Sequence, residues 1–220
     1  MKNKKYINSK FNQSELSRRQ FVTSAIAGSA VLGINPSLLL AQTQVSQSPA
    51  TISGNFFDLN IGYKTVNYTG TESIATSINN SVPAPILRWR EGDEITLRVT
   101  NNLAVDSSIH WHGIILPSNM DGVPGMSFDG IRPGETFEYK FPVNQNGTYW
   151  YHSHSGFQEQ TGMYGAIIVD PIELDPISYE RDYVVLLSDW SDSSPNKIYS
   201  RLKKRSHYFN FNDRTVGDLF

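Results

Sequence analysis

Ile109-His110-Trp111-His112-Gly113 and Trp150-Tyr151-His152-Ser153-His154 hold four of the five histidines of this chain, arranged as two His-x-His pairs. In an extended strand, side chains i and i+2 share a face, with Cα atoms about 6.6 Å apart at a rise of ~3.3 Å per residue. Each pair therefore presents two imidazoles on one side. Ile109 and Trp111 supply an apolar opposite face to the first pair. In the second stretch Trp150, His152 and His154 form one row, and Tyr149, Tyr151 and Ser153 the other. Two such strands lying together would bring four imidazoles to one place, enough to grip a metal ion or one edge of a cluster. A lone histidine reads more readily as a hydrogen-bonded core or surface residue, but two same-face pairs point to metal. Imidazole suits zinc, copper, iron and nickel alike, so spacing does not choose among them.

Working outward, the same two-residue period recurs. Ile86 to Trp89, the alternating Ile95-Thr96-Leu97-Arg98-Val99, and Phe137-Glu138-Tyr139-Lys140-Phe141 read as strands, and Gly165 to Val169 as a buried strand closed by Asp170-Pro171. Glu91-Gly92-Asp93 is the turn between the first two, and Asn146-Gly147 reads as a two-residue hairpin turn leading into the second histidine pair. A Pro-, Gly- and Asp-rich loop fills 117–133. No segment of 54–171 has a 3.6-residue apolar period, so an all-β sandwich is expected there, of a length that can bury its own core. Tyr183-Val184-Val185-Leu186-Leu187 reads as the first strand of a further unit, with residues 178–220 too short to complete one.

Charge is unevenly spread. Six basic residues (Lys2, Lys4, Lys5, Lys10, Arg18, Arg19) and one acid, Glu15, fall within residues 1–41, leaving an acidic remainder. That body gives no reason to expect a nucleic-acid or anionic-membrane partner. The chain contains no cysteine, which excludes disulfides, zinc–thiolate sites and thiol catalysis within it. Ser17-Arg18-Arg19-Gln20-Phe21-Val22 followed by the small, apolar run to Ile34 resembles a twin-arginine export signal. The run is too short for the roughly twenty residues of a spanning helix. Residues 1–41 are therefore read as a signal peptide cut near Ala41, leaving no membrane span, and 42–53 as a flexible lead-in.

His110-Trp111-His112-Gly113, Met120-Asp121-Gly122-Val123-Pro124-Gly125, Ile131-Arg132-Pro133-Gly134 and Gly147 to His154 together resemble the N-terminal cupredoxin domain of multicopper oxidases. Asp58 to Gly70 and Arg214 to Phe220 are similar to the periplasmic copper-resistance oxidases among them. The resemblance implies a cupredoxin-like Greek-key β-sandwich over 54–171, with 178–220 as the truncated beginning of a second cupredoxin domain. It implies copper, with His110 on a type 2 ion and His112, His152 and His154 on a type 3 pair. It also implies that Asp121 helps relay protons during oxygen reduction, although a turn aspartate bending the chain before Gly122 explains that residue equally well. The family's two other His-x-His motifs and its blue-copper cysteine belong to a C-terminal domain. This chain has none of them, so it is expected to be the N-terminal part of a longer protein and inactive alone.

The implied activity is one-electron oxidation of a reducing substrate, Cu(I) in the copper-resistance group, coupled to reduction of O₂ to water in the periplasm. Two alternatives remain open: a copper-sequestering protein without turnover, and a two-domain cupredoxin of the nitrite-reductase kind. His207 lies outside both pairs and reads as a structural or surface residue; Met120, Met126 and Met163 read as loop packing.

Overall fold

The computed structural model describes residues 49–173 and 176–210. Nine strands make two sheets: β1 (Thr51–Ser53), β2 (Phe56–Val66), β3 (Ser73–Ile78), β4 (Ile86–Arg90), β5 (Glu94–Asn101), β6 (His110–His112), β7 (Thr136–Pro142), β8 (Gly147–His152) and β9 (Tyr164–Asp170). One sheet runs β3-β2-β5-β7 and the other β1-β4-β9-β8-β6. The expected all-β sandwich is formed.

Alternation decides which side chains face inward. Phe57, Leu59 and Ile61 of β2, Ile95, Leu97 and Val99 of β5, and Tyr139 and Phe141 of β7 are buried from one sheet. Leu87 and Trp89 of β4, Trp111 of β6, Tyr151 of β8 and Ile167 and Val169 of β9 meet them from the other. The rings touch across the sandwich: Trp111 stands edge-on to Tyr139 at 5.2 Å and Trp89 to Phe141 at 5.8 Å. Each such aromatic removes roughly 150–250 Å² from water, worth at most about 4–6 kcal/mol at ~25 cal/mol per Å². Trp111 thus anchors a strand of only three residues that would otherwise fray at the sheet edge.

Three expectations are corrected. Asn146-Gly147 is not a hairpin turn, because β7 pairs with β5 whereas β8 pairs with β6 and β9. Buried Val143, tied to the β4–β5 turn by bonds from its own N–H to the Asp93 carbonyl (2.9 Å) and from Gly92 N–H to its carbonyl (2.7 Å), diverts the chain to the second sheet. Thr51–Ser53, in the expected lead-in, is a strand pairing parallel with β4. Tyr183–Leu187 is not a strand; it enters no ladder among the described residues, and Tyr183, Val185 and Leu187 are exposed. The segment is held instead by its end: Trp190 packs edge-on against Tyr68 at 5.1 Å. Asp192 accepts hydrogen bonds from Thr69 Oγ1, Ser73 Oγ (3.2 Å) and Trp190 Nε1 (2.8 Å). A helix, α1 (Pro195–Lys204), follows, with proline in its first turn and Arg201, Lys203 and Lys204 in its last, where cations suit the helix dipole. The expected signal peptide lies outside the described residues. No helix among them is long and apolar enough to cross a membrane.

Candidate metal centre

Strand β6 is the edge of its sheet and pairs antiparallel with β8 in the register His110↔His152, Trp111↔Tyr151, His112↔Trp150. Directly opposed residues point to the same face, so His110, His112, His152 and Trp150 share one side and Trp111 and Tyr151 the core side. The apolar row is what sets this orientation. Turning the strand over would expose Trp111, which is fully buried, and sink two imidazoles into the core.

Coordinating nitrogens of His110, His112 and His152 all lie within 4.8 Å of one another. His154 lies just past the end of β8, its ring 5.8 Å from that of His110 and 6.2 Å from that of His152. The group is graded in exposure: His112 and His154 are exposed, His110 is half-buried and His152 is buried. Trp150 covers two of them, stacked on His152 at 4.1 Å and on His112 at 5.0 Å.

The hydrogen bonds set which ring nitrogen is offered. His110 Nδ1 lies 2.8 Å from the Asp121 carbonyl oxygen, which can only accept, so Nδ1 carries the proton and Nε2 keeps its lone pair. The Asp121 carboxylate is close as well, Oδ1 lying 3.4 Å from the same nitrogen. His152 Nδ1 is likewise bound, to the Ser153 carbonyl at 2.9 Å and Glu159 Oε2 at 2.8 Å. Its Nε2 lies 3.3 Å from His112 Nδ1. Two nitrogens held at ~2.0–2.1 Å by one tetrahedral ion stand roughly 3.3–3.4 Å apart, so this pair is spaced to share a first-row metal. Burial holds the pKa of His152 below the usual histidine value, against the opposing pull of Ser153 and Glu159. The neutral imidazole that a metal requires is thereby favoured. Three to four imidazoles without a thiolate suit a histidine-only site for zinc, copper, iron or nickel and not a blue copper centre.

A part-buried polar frame locks the two histidine segments together. Gln158 Oε1 accepts from Ser107 Oγ at 2.7 Å and from Ser153 Oγ at 2.8 Å, and its Nε2 donates to the Asp106 carbonyl at 2.8 Å. Ser108 Oγ meets Ser155 Oγ at 2.8 Å and accepts from His154 N at 3.1 Å. Upstream, fully buried Asn101 donates to the Val105 and Ile131 carbonyls, both at 2.8 Å, and shapes the loop entering β6. Sequence reasoning singled out the four histidines and Asp121, which the structure gathers at one face. It missed Trp150 as a cover, and Gln158 and Glu159 altogether. The only local signal for the last two is a Gln-Glu pair shortly after the second His-x-His, which by composition reads as a solvated loop.

Comparison with known proteins agrees with this geometry. The family model described as "Multicopper oxidase" matches residues 60–173. The chain is 54% identical over 205 residues to a "Copper resistance protein A homolog" of Pseudomonas syringae pv. tomato, covering 92% of this chain and 35% of that protein. It is 59% identical over 171 residues to the "Copper resistance protein A" of Escherichia coli, covering 78% and 28%. Among solved structures, a laccase from B. aclada superposes with a TM-score of 0.62 at 36% identity, covering 71% of this chain and 29% of that one. The chain thus spans about a third of the length of the curated relatives it matches.

Proposed function

This chain belongs to the multicopper oxidase family, and from that premise we propose that it is the copper-binding N-terminal part of an exported oxidase acting in copper resistance. The family implies copper, and multicopper oxidases couple oxidation of a reducing substrate to reduction of O₂. For this protein the substrate is taken to be Cu(I), from its likeness to the copper resistance proteins. Four one-electron donations and four protons balance each O₂ reduced to two waters. The observation that carries the reading is the pairing of His110 with His152 across β6 and β8, with His112 Nδ1 3.3 Å from His152 Nε2.

In this reading His110 holds the type 2 copper through Nε2, and His112, His152 and His154 contribute to the type 3 pair. Bound copper supplies the electron transfer and the oxygen-binding positions. The protein's own groups orient and protect. The Asp121 carbonyl and the Ser153 carbonyl fix the rings of His110 and His152, and Trp150 shields one flank from water. The Asp121 carboxylate, half-exposed and 3.4 Å from His110 Nδ1, is placed to pass protons between solvent and the site. The remaining ligands are assigned to the rest of the protein, with 178–220 opening a second cupredoxin domain. Residues 1–41 direct export by the twin-arginine route to the periplasm.

The test is to express the complete gene, measure copper per protein, and follow O₂ uptake with Cu(I) and with a phenol. Uptake with Cu(I) that is lost in His110→Ala and His152→Ala supports the reading. Tightly bound copper without O₂ uptake would replace it with sequestration.

A further inference from the structure

The two ring nitrogens of His152 face opposite ways, one toward His112 and the other toward a carboxylate outside every motif in the sequence. Glu159 Oε2 lies 2.8 Å from His152 Nδ1. Its side chain is 36% exposed, yet its backbone is not free to wander. Glu159 O accepts from Gly162 N at 3.0 Å, and the adjacent Gln158 accepts from Met163 N at 3.0 Å through its carbonyl while its side chain grips Ser107, Ser153 and Asp106. The turn between β8 and β9 therefore delivers the carboxylate from a frame anchored on both histidine segments.

The Ser153 carbonyl, 2.9 Å from the same nitrogen, already suffices to set the tautomer. What Glu159 adds is a full negative charge. A charge-assisted N–H···O⁻ bond is stronger than a neutral one and pushes electron density across the ring to the opposite nitrogen. Asp121 lies farther from His110, at 3.4 Å, and His112 Nδ1 faces His152 rather than an acid. These three imidazoles are thus unequally supported, with the buried His152 carrying the strongest acceptor.

We propose that Glu159 is a positioning residue that makes His152 the most strongly donating imidazole of this half-site and so favours the oxidised form of the copper it holds. The inference rests on the assignment of His152 as a copper ligand. In the protein expressed from its complete gene and loaded with copper, Glu159→Gln, Glu159→Ala and Glu159→Asp are compared with His152→Ala. Three quantities are read: the rate of copper loss to a chelator, the reduction potential of the type 3 coppers, and the unfolding midpoint of the copper-free protein. Glu159→Gln is isosteric and keeps an acceptor without the charge. It is expected to speed copper loss roughly 10-fold to 100-fold, in line with removal of such partners elsewhere, to raise the potential, and to leave the copper-free midpoint in place. Glu159→Asp is expected to recover part of both. Unchanged loss rate and potential in Glu159→Gln, beside a clear loss of copper in His152→Ala, would overturn the role of Glu159 alone. A lowered copper-free midpoint without any shift in potential would assign Glu159 to folding and likewise overturn it. Full copper retention in His152→Ala would instead bring down the copper reading beneath it.

Discussion

Gly122 packs its Cα directly against the carbonyl of Ile109, so closely that a Cβ built there would stand 1.8 Å from that oxygen. Its φ of +74° is in addition one that side chains rarely adopt. This contact seats the 117–133 loop on the entry to β6 and thereby brings the Asp121 carbonyl to His110. Gly122→Ala must displace backbone from backbone, and is expected to cost about 2–4 kcal/mol of stability and to weaken copper binding. Urea unfolding and copper titration of the variant check both; a cost below about 1 kcal/mol with copper affinity intact would show that the contact is not needed.

Arg88 donates to both carboxylate oxygens of Asp170, at 2.7 and 2.6 Å, between neighbouring strands β4 and β9. The guanidinium holds the Asp170 carboxyl below the usual carboxylate range. A depressed folded pKa stabilises above the unfolded value, about 3.9, and that contribution is lost as pH falls through the folded one. With both side chains about 40% exposed, solvent limits the pair to about 0.5–1 kcal/mol. Arg88→Ala should therefore lower the urea midpoint at pH 7, and the gap from the parent should shrink steadily below pH 4. A gap independent of pH would mean that aliphatic packing, not the ion pair, is at work.

Gly165 faces Tyr151 across β8 and β9, and a Cβ there would meet the Tyr151 ring at 2.6 Å. That ring is fully buried, donates its hydroxyl to the Pro85 carbonyl at 2.6 Å and backs Trp111 at 5.9 Å. Overpacking at such a site typically costs about 1–3 kcal/mol. Gly165→Ala is expected to lower the thermal midpoint and shift tryptophan emission to the red as Trp111 loosens; Gly165→Ser should behave alike.

Removing the Gln158 side chain takes the oxygen acceptor from the buried Ser107 and Ser153 hydroxyls, leaving Ser107 only the Met163 sulfur at 3.7 Å and Ser153 only the bond it accepts from Ser155 N at 3.1 Å. Unsatisfied buried groups cost about 1–3 kcal/mol. Gln158→Ala should destabilise the copper-free protein, separating it from Glu159→Gln, which should not. Equal stability of Gln158→Ala and the parent would show that water replaces the amide without penalty.

Much of the centre was legible because period-two alternation is a local property. His110 and His112 share a face, and Trp111 opposes them, whatever strand lies alongside. The same holds for Ile95, Leu97 and Val99, whose side chains turn inward in the structure. Asn146-Gly147 misled for the complementary reason. A hairpin requires its two flanking strands to pair with each other, and β7 and β8 find their partners in different sheets.

The residues alone determined the sandwich class, the strands that carry His110, His112 and His152, and the face that the first pair of imidazoles shares. Those follow from side-chain size, polarity and spacing along one strand. Only the tertiary structure decided that His110 stands opposite His152, that Thr51–Ser53 completes a sheet edge, and that Gln158 and Glu159 support the site. Register, sheet membership and the hydrogen bonds behind an imidazole depend on segments far apart in the chain. Their free energy exists only once the shared core has closed.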